Sequence, residues 1–148
     1  MGFTTRLFLE NIDTDGKIVT TIDLPSVSDV FFQGHDEELA RKSLCSEREY
    51  LCSAKSEQVE QILIDSMKFE TAGYEEKFDF VFVDANHKLE YVKQDTENAF
   101  KMLTSNGCIA WHDYGNPQFP ELKQYLKDLS VDKPIYHVEE TMLCFYLP

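Results

Sequence analysis

Short runs of β-branched or aromatic residues alternate with longer amphipathic stretches, and this alternation is the feature that most restricts the fold. Two of the short runs, 78–83 and 108–111, are apolar on both faces or nearly so. Strands of that kind need cover on both sides, which parallel strands flanked by helices receive. The sequence therefore predicts an α/β fold with a doubly wound, mostly parallel sheet and right-handed crossovers.

The runs predicted as strands are 18–22, 59–64, 78–83, 108–111, 135–138 and 142–147. The last two are too close for a crossover helix, so we expect them to pair antiparallel at one edge of the sheet. Helices are predicted over 4–12, over 92–103 and over 121–129, with a shorter helical hint over 37–44. Asp15-Gly16 is expected to end the first helix, and Asn106-Gly107 the second, with glycine in the left-handed region.

Composition limits the class of protein and its partners. A length of 148 residues predicts one domain over 1–148. With 14 basic against 27 acidic side chains, the chain is a poor binder of nucleic acid or anionic lipid, and no apolar run is long enough to cross a bilayer. The cysteines form no CxxC pair and no zinc-type spacing, which favours reduced thiols and a cytoplasmic location. They are Cys45, Cys52, Cys108 and Cys144.

Acidic residues follow four of the predicted strands, at the end where ligands collect in a doubly wound sheet. These residues are Asp23, Asp65, Asp84 and Asp113. Carboxylates in that position can accept hydrogen bonds from ribose hydroxyls, bind a metal ion or take a proton. The alternative is that each one caps the following helix or turn. Because they occur in register along one edge, we expect them to open onto a common crevice.

Histidines accompany two of these aspartates, in Asp84-Ala85-Asn86-His87 and in His112-Asp113. An aspartate and a histidine on adjacent strand ends can form a general base with its orienting partner, or ligands for a divalent cation. The alternative is structural, with His87 opening a helix and His112 packing beside the preceding tryptophan. The other histidines, His35 and His137, are predicted to be uninvolved.

The stretches 78–95 and 106–114 resemble the class I S-adenosylmethionine-dependent methyltransferases, most closely their small-molecule and sugar O-methyltransferase branch. The shared pattern is a strand, D-x-x-H, a tyrosine, an acidic helix, a glycine turn, a strand and H/D-D-Y. The opening residues Gly2-Phe3-Thr4 resemble the tail of the glycine-rich cofactor loop. Asp23 resembles the ribose-binding acid, and Asp65-Ser66 resembles the turn that contacts adenine.

The resemblance implies a Rossmann-like fold and methyl transfer from S-adenosylmethionine to a small hydroxylated acceptor. The catalytic residues it implies are Asp84, His87 and His112. The cofactor-binding residues it implies are Gly2, Phe3, Thr4, Asp23, Asp65, Ser66 and Asp84. A divalent metal ion would be held by Asp84 and Asp113, but a metal-free site with a histidine base is the favoured interpretation.

The chain departs from the family at its start, where the first strand and most of the glycine-rich loop are missing. We expect truncation relative to the family, a strand supplied by another chain, or lost catalysis. An exposed sheet edge would favour a homo-oligomer. The alternative functions are therefore a non-catalytic oligomerisation or partner-binding module and a metal-dependent hydrolase. The latter would use Asp84, His87, His112 and Asp113.

Overall fold

The computed structural model describes residues 2–12, 19–25 and 48–148. The chain divides into two compact units, Met1–Phe69 and Glu70–Pro148. The expectation of a single domain over 1–148 stays a prediction, and each unit is described by itself below.

Over its described residues, the first unit contains one helix and two strands, together with short 3₁₀ turns. They are α1 (Phe3–Asn11), β1 (Val19–Asp23) and β2 (Val59–Leu63). The strands pair in parallel, from Val19 opposite Val59 to Asp23 opposite Leu63. Their carboxyl ends therefore lie at the same edge of this two-stranded sheet.

Backbone and side-chain contacts at both ends fix α1 within this unit. Gly2 precedes the helix with a φ of 85°, and a Cβ atom there would lie 2.8 Å from the Tyr50 ring, so a residue without a side chain is required. At the other end, the Lys55 ammonium donates to the carbonyls of Leu9 and Ile12 at 3.0 and 3.1 Å. This cation satisfies carbonyls that have no partner inside the helix.

The second unit is a four-stranded sheet with two helices. Its elements are β3 (Phe78–Val83), α2 (Leu89–Met102), β4 (Leu103–Trp111), α3 (Pro120–Leu129), β5 (Ile135–His137) and β6 (Cys144–Tyr146). The strand order is β3-β4-β6-β5, with β3 and β4 parallel and β6 antiparallel to both of its neighbours. The predicted antiparallel pair at the sheet edge is confirmed, and the reversed strand β6 lies one position in from that edge.

The core of the second unit lies where α2 and α3 cover the sheet. Its buried residues are Val92, Ala99, Leu103, Ile109, Trp111, Leu122, Leu126 and Cys144. The Trp111 indole also donates to the Thr96 hydroxyl at 2.9 Å, which satisfies its only polar group inside the core. This helix-covered packing explains why β4 is so apolar, and the predicted α/β class is confirmed.

The predicted end of the second helix is wrong. α2 ends at Met102, and Leu103 is the first residue of β4 rather than the last of the helix. Gly107 lies inside β4 and has no left-handed φ, so it does not cap a helix. The helical spacing continues into Leu103 because helix and strand bury their apolar residues in the same core.

The other predicted boundaries agree to within a few residues. α1 ends at Asn11, ahead of Asp15-Gly16, which lies outside the described residues together with Ile18 and the helical hint over 37–44. No helix in the described ranges is long and apolar enough to cross a membrane.

The cysteines that the structure describes are free thiols, as predicted. They are Cys52, Cys108 and Cys144, whereas Cys45 lies outside the described ranges. Burial raises the pKa of Cys144 to about 12, so this thiol stays protonated and acts as a core residue.

We expect Gly107→Ala to destabilise the protein by about 1–3 kcal/mol. A Cβ atom at this position would lie 2.7 Å from the Leu103 side chain and 3.1 Å from the Asp79 carbonyl oxygen. Urea denaturation followed by circular dichroism measures the change. The control is Ser105→Ala at an exposed position of the same strand, which should change the stability by less than about 0.5 kcal/mol. Equal stabilities for the two variants would contradict this account of Gly107.

Candidate functional site

The four predicted aspartates fall into two pairs. Asp23 ends β1 and Asp65 follows β2, so both lie at the carboxyl edge of the first sheet. Asp84 follows β3 and Asp113 follows β4, at the carboxyl edge of the second sheet. Each pair belongs to its own unit. The common crevice for all four therefore stays a prediction.

Among the described residues, two donors from the same unit hold Asp23. Arg48 Nη1 lies 3.1 Å from Asp23 Oδ2, and Gln61 Nε2 donates to the same oxygen at 3.0 Å. About a third of the Asp23 side chain stays exposed. The two donors fix the orientation of the carboxylate and leave it partly open to a ligand.

Asp65 acts as a cap. It is buried, and its Oδ1 accepts a hydrogen bond from the Met67 N–H at 3.1 Å at the start of the 3₁₀ turn Ser66–Lys68. The geometry of Asp65 therefore agrees with the alternative that this aspartate caps the following turn. Ser66, also predicted as a cofactor-binding residue, is the first residue of that turn.

The residues predicted to end the cofactor loop lie at the start of α1. Gly2 has the left-handed conformation, Phe3 is exposed, and Thr4 is half-buried on the first turn. Gly2 lies against the Tyr50 ring of the same unit. The backbone N–H of Arg6 donates to the Gly2 carbonyl at 2.9 Å.

Asp113 is the centre of the candidate site in the second unit. The carboxylate is buried and contacts three side chains. Its Oδ2 lies 2.9 Å from His87 Nε2 and 2.8 Å from His112 Nδ1, and its Oδ1 accepts from Asn116 Nδ2 at 2.8 Å. The structure therefore places both predicted histidines on one oxygen of the same aspartate.

The backbone explains how the end of β4 reaches this geometry. The His112 N–H donates to the Val83 carbonyl at 3.1 Å, which extends the β3–β4 ladder by one residue. Asp113 then takes a left-handed φ of 63°, which aspartate tolerates better than most residues. The Asn116 N–H closes the turn onto the Asp113 carbonyl at 3.0 Å, and the same asparagine reaches the side chain.

Hydrogen bonding overrides the effect of burial on Asp113. Burial alone would raise the pKa of this carboxyl, but hydrogen bonds from Asn116 and His112, with the charges of His112 and His87, bring the pKa below its usual value. An ionised carboxylate can only accept, so both imidazoles must donate to it. His87 then carries its proton on Nε2 and His112 on Nδ1, which leaves His112 Nε2 as the acceptor nitrogen of that ring.

The pKa of Asp84 shifts in the opposite direction from that of Asp113. Desolvation raises its pKa, and the charge of Asp113 adds to the rise while His112 opposes it. Its Oδ1 lies 3.6 Å from His112 Nδ1, and 37% of its side chain is exposed. The two carboxyls therefore differ in proton affinity although they lie at the same edge of the sheet.

The two imidazoles differ in accessibility. The His112 side chain is 39% exposed and that of His87 18%. The His87 ring stacks on Phe119, with centroids 4.0 Å apart and planes within 3°. A cavity of about 10 Å³ lies against both rings and against Asp84 and Asp113. Its size suits one water molecule.

Two residues of the site were missed by the sequence analysis. Asn116 follows Asp113 by three residues in a turn-forming stretch, and this spacing could have indicated a side-chain contact. Nothing in the sequence marks Phe119 as a residue of the site, because its stacking on His87 depends on how the chain returns to the sheet. Two histidines were predicted to be uninvolved. His137 Nε2 lies 3.0 Å from the Thr141 carbonyl oxygen, and His35 lies outside the described residues.

The comparisons with known proteins identify the class. Residues 1–114 match the model of a family described as a methyltransferase domain, and the chain belongs to that family. The resemblance inferred from the sequence is thereby confirmed. No curated protein matches this chain by sequence.

Two methyltransferases are among the solved structures with a similar fold. A candidate caffeoyl-CoA O-methyltransferase from Staphylococcus aureus aligns with a TM-score of 0.53 at 14% identity, covering 88% of this chain and 65% of its own. The MycE methyltransferase of mycinamycin biosynthesis, solved with Mg, SAH and mycinamycin VI, aligns with a TM-score of 0.53 at 16% identity, covering 97% of this chain and 48% of its own. The chain thus spans about two thirds and about half the length of these proteins.

We expect Asp84→Asn to stabilise the protein modestly at pH 7. Because the folded-state pKa of Asp84 is raised, its ionisation disfavours folding once the pH rises through that pKa. The neutral amide removes this effect, with a gain below about 1 kcal/mol because the side chain is partly exposed and screened. Thermal unfolding measured from pH 3 to pH 8 should show the gain at neutral pH and its loss below the ordinary aspartate pKa. A gain independent of pH would contradict this origin.

Proposed function

We propose that this chain is an S-adenosylmethionine-dependent methyltransferase that methylates the oxygen of a small hydroxylated acceptor. The observation that carries the proposal is the pair of imidazoles on the buried Asp113 carboxylate, at the strand ends of a methyltransferase-family domain. Support also comes from the S. aureus neighbour, described as acting on caffeoyl-CoA, and from the SAH and mycinamycin VI bound to MycE.

The residues of the first unit would hold the cofactor. Among the described residues, both donors to Asp23 reach Oδ2, so we assign Oδ1 to the ribose hydroxyls. The turn at Asp65-Ser66 would border the adenine. We assign Gly2, Phe3 and Thr4 to the methionine part by resemblance. These assignments fit a cofactor with a diol and a cationic sulfonium, because an ionised carboxylate accepts hydrogen bonds from hydroxyls and attracts a cation.

Asp84 completes the set of residues that we assign to the cofactor. When bound, S-adenosylmethionine supplies a methyl group activated for in-line displacement. The chain's own part is then to align the acceptor oxygen and to remove its proton.

His112 is the residue that we assign as the general base. Its Nδ1–H is held by Asp113, so Nε2 can take the proton of the acceptor hydroxyl. Asp113 then stabilises the imidazolium, and Asp84, 3.6 Å from the same nitrogen, adds a second negative charge. His87 is less exposed and stacked on Phe119, so we assign it to orienting the cluster beside the reacting hydroxyl.

The alternatives are less well supported. Membership of the methyltransferase family favours an enzyme over a non-catalytic module and over a hydrolase. A homo-oligomer formed through a sheet edge and a cytoplasmic location stay predictions.

Calorimetry with S-adenosylhomocysteine tests the cofactor assignment. We expect micromolar binding that Asp23→Ala weakens at least about 10-fold, because a charge-assisted hydrogen bond to a ligand contributes about 1.5 kcal/mol or more. Asp128→Ala, an exposed aspartate on α3, is the matched control and should bind like the unaltered chain. Absence of binding by the folded, unaltered protein would contradict the proposed function.

Release of S-adenosylhomocysteine from S-adenosylmethionine, measured with a panel of phenolic and sugar acceptors, tests the base. We expect His112→Ala to lower kcat about 100-fold or more while the affinity for S-adenosylhomocysteine is unchanged. His137→Ala removes an imidazole outside the cluster and should leave kcat unchanged. A larger loss in His87→Ala than in His112→Ala would transfer the role of the base to His87.

A further inference from the structure

We infer that Asn86 is a catalytic residue, and that its Nδ2 amide donates a hydrogen bond to the oxygen of the acceptor hydroxyl. This role rests on the proposed function, because the hydroxyl concerned is the one that His112 is assigned to deprotonate. Asn86 lies three residues after β3 and is the residue directly before His87.

A backbone contact fixes the orientation of the Asn86 amide. The Lys88 N–H donates to Asn86 Oδ1 at 2.9 Å. Because a backbone N–H can only donate, the atom that faces it is the carbonyl oxygen of the side chain, and the amide nitrogen lies on the other branch. This turn also attaches the side chain to the start of α2.

The amide nitrogen of Asn86 is buried without a partner. Its Nδ2 atom is shielded from solvent and has no hydrogen-bond partner among the described residues. A buried N–H of this kind is unfavourable and rare in native structures, where a catalytic role is one of the explanations. Capping explains Oδ1 alone, because an aspartate in this place would accept from Lys88 equally well and would bury no N–H.

The surroundings of Asn86 suit a hydroxyl oxygen. Asn86 lines the cavity of about 10 Å³ that also borders both imidazoles, and this volume holds one oxygen atom. Both imidazole N–H groups are engaged with Asp113, and the Trp111 indole N–H is engaged with Thr96. Within the described part of the chain, Asn86 Nδ2 is therefore the side-chain N–H group at this cavity that an incoming oxygen can accept from.

A hydroxyl group requires both an acceptor and a donor, and these two residues would supply them. Its O–H would donate to His112 Nε2, and its oxygen would accept from Asn86 Nδ2. During transfer, the O–H proton passes to His112 Nε2. The oxygen forms a bond to the methyl carbon, and the carbon–sulfur bond breaks with its electron pair going to sulfur.

The amide has two effects on this step. It stabilises the negative charge that the oxygen acquires as its proton leaves, and it fixes the direction of the attacking lone pair. The carboxyls of Asp84 and Asp113 lie at the same edge of the sheet and disfavour a further negative charge there. A neutral donor beside the oxygen opposes this repulsion without changing the charge of the site.

Asn86→Asp and Asn86→Ser test the role, because each removes the amide and keeps an oxygen that can accept from the Lys88 N–H. Release of S-adenosylhomocysteine is measured with the same panel of phenolic and sugar acceptors. We expect both variants to lower kcat about 100-fold and to bind S-adenosylhomocysteine like the unaltered chain. Thermal unfolding confirms that both variants are folded.

The ionisation of bound para-nitrophenol gives a second measurement, which loss of a cap alone would not change. The phenolate absorbs visible light, so a pH titration in the presence of S-adenosylhomocysteine gives the pKa of the bound phenol. We expect Asn86→Ser to raise this pKa by at least about 1, a tenfold loss of ionisation, because the phenolate loses its donor. The same pKa in both proteins, or no binding of para-nitrophenol, would overturn the proposed contact.

Asn106→Asp is the matched control, because it adds the charge of Asn86→Asp at an exposed position near the opposite end of β4. It should leave kcat unchanged. Unchanged kcat in both Asn86 variants would overturn the role and leave Asn86 as a cap beside a water molecule. A loss in Asn86→Asp alone would overturn it too, by assigning the effect to the added charge. In either case the methyltransferase assignment would stand, whereas an unaltered chain that releases no S-adenosylhomocysteine would contradict the proposed function itself.

Discussion

The buried carboxylate of Asp113 is the group on which the candidate site depends. Burial disfavours its charge, and the three donors around it more than offset that penalty, so that its pKa falls below the usual value. Because the carboxylate is ionised, both imidazoles must point an N–H at it. The protonated nitrogen of each ring, and hence the nitrogen that is able to accept a proton, follows from this one charge.

The left-handed backbone conformation at Asp113 helps to hold the carboxylate in this position. A left-handed φ at a residue other than glycine is unfavourable by about 1–3 kcal/mol and persists only where the surroundings hold it. Here the holding contacts are backbone hydrogen bonds on either side, from His112 to Val83 and from Tyr114 to Met142. Gly115 permits the close approach, since a Cβ atom there would lie 2.8 Å from the Thr141 carbonyl oxygen.

The sequence was most informative where one physical rule decides the outcome. The apolar run 78–83 is a strand with the predicted bounds, and parallel pairing with β4 places Asp84 and Asp113 at one edge. Local rules failed where two elements share a core, as at Leu103, which fits the helical spacing but begins a strand. They also left Asp65 undecided between a ligand and a cap, because both roles need an aspartate directly after a strand.

Some contacts made across the fold could not be predicted from the sequence. The stacking of Phe119 on His87 depends on how the chain turns after Asp113, and no periodic pattern encodes that path. The same limit applies to the sharing of a single carboxylate oxygen by two histidines that are distant in sequence. Sequence supplied the residue types and the edge of the sheet, whereas the distances that decide their chemistry came from the tertiary structure.

Because the two imidazoles share one oxygen, they cannot act independently. Each ring has two nitrogens, and the proton on the nitrogen that faces Asp113 leaves the opposite nitrogen of a neutral ring as an acceptor. Both rings are oriented by the same carboxylate oxygen, Asp113 Oδ2, at 2.9 Å from His87 Nε2 and 2.8 Å from His112 Nδ1. Removal of either imidazole therefore changes the donors around that oxygen, and with them the support of the remaining ring.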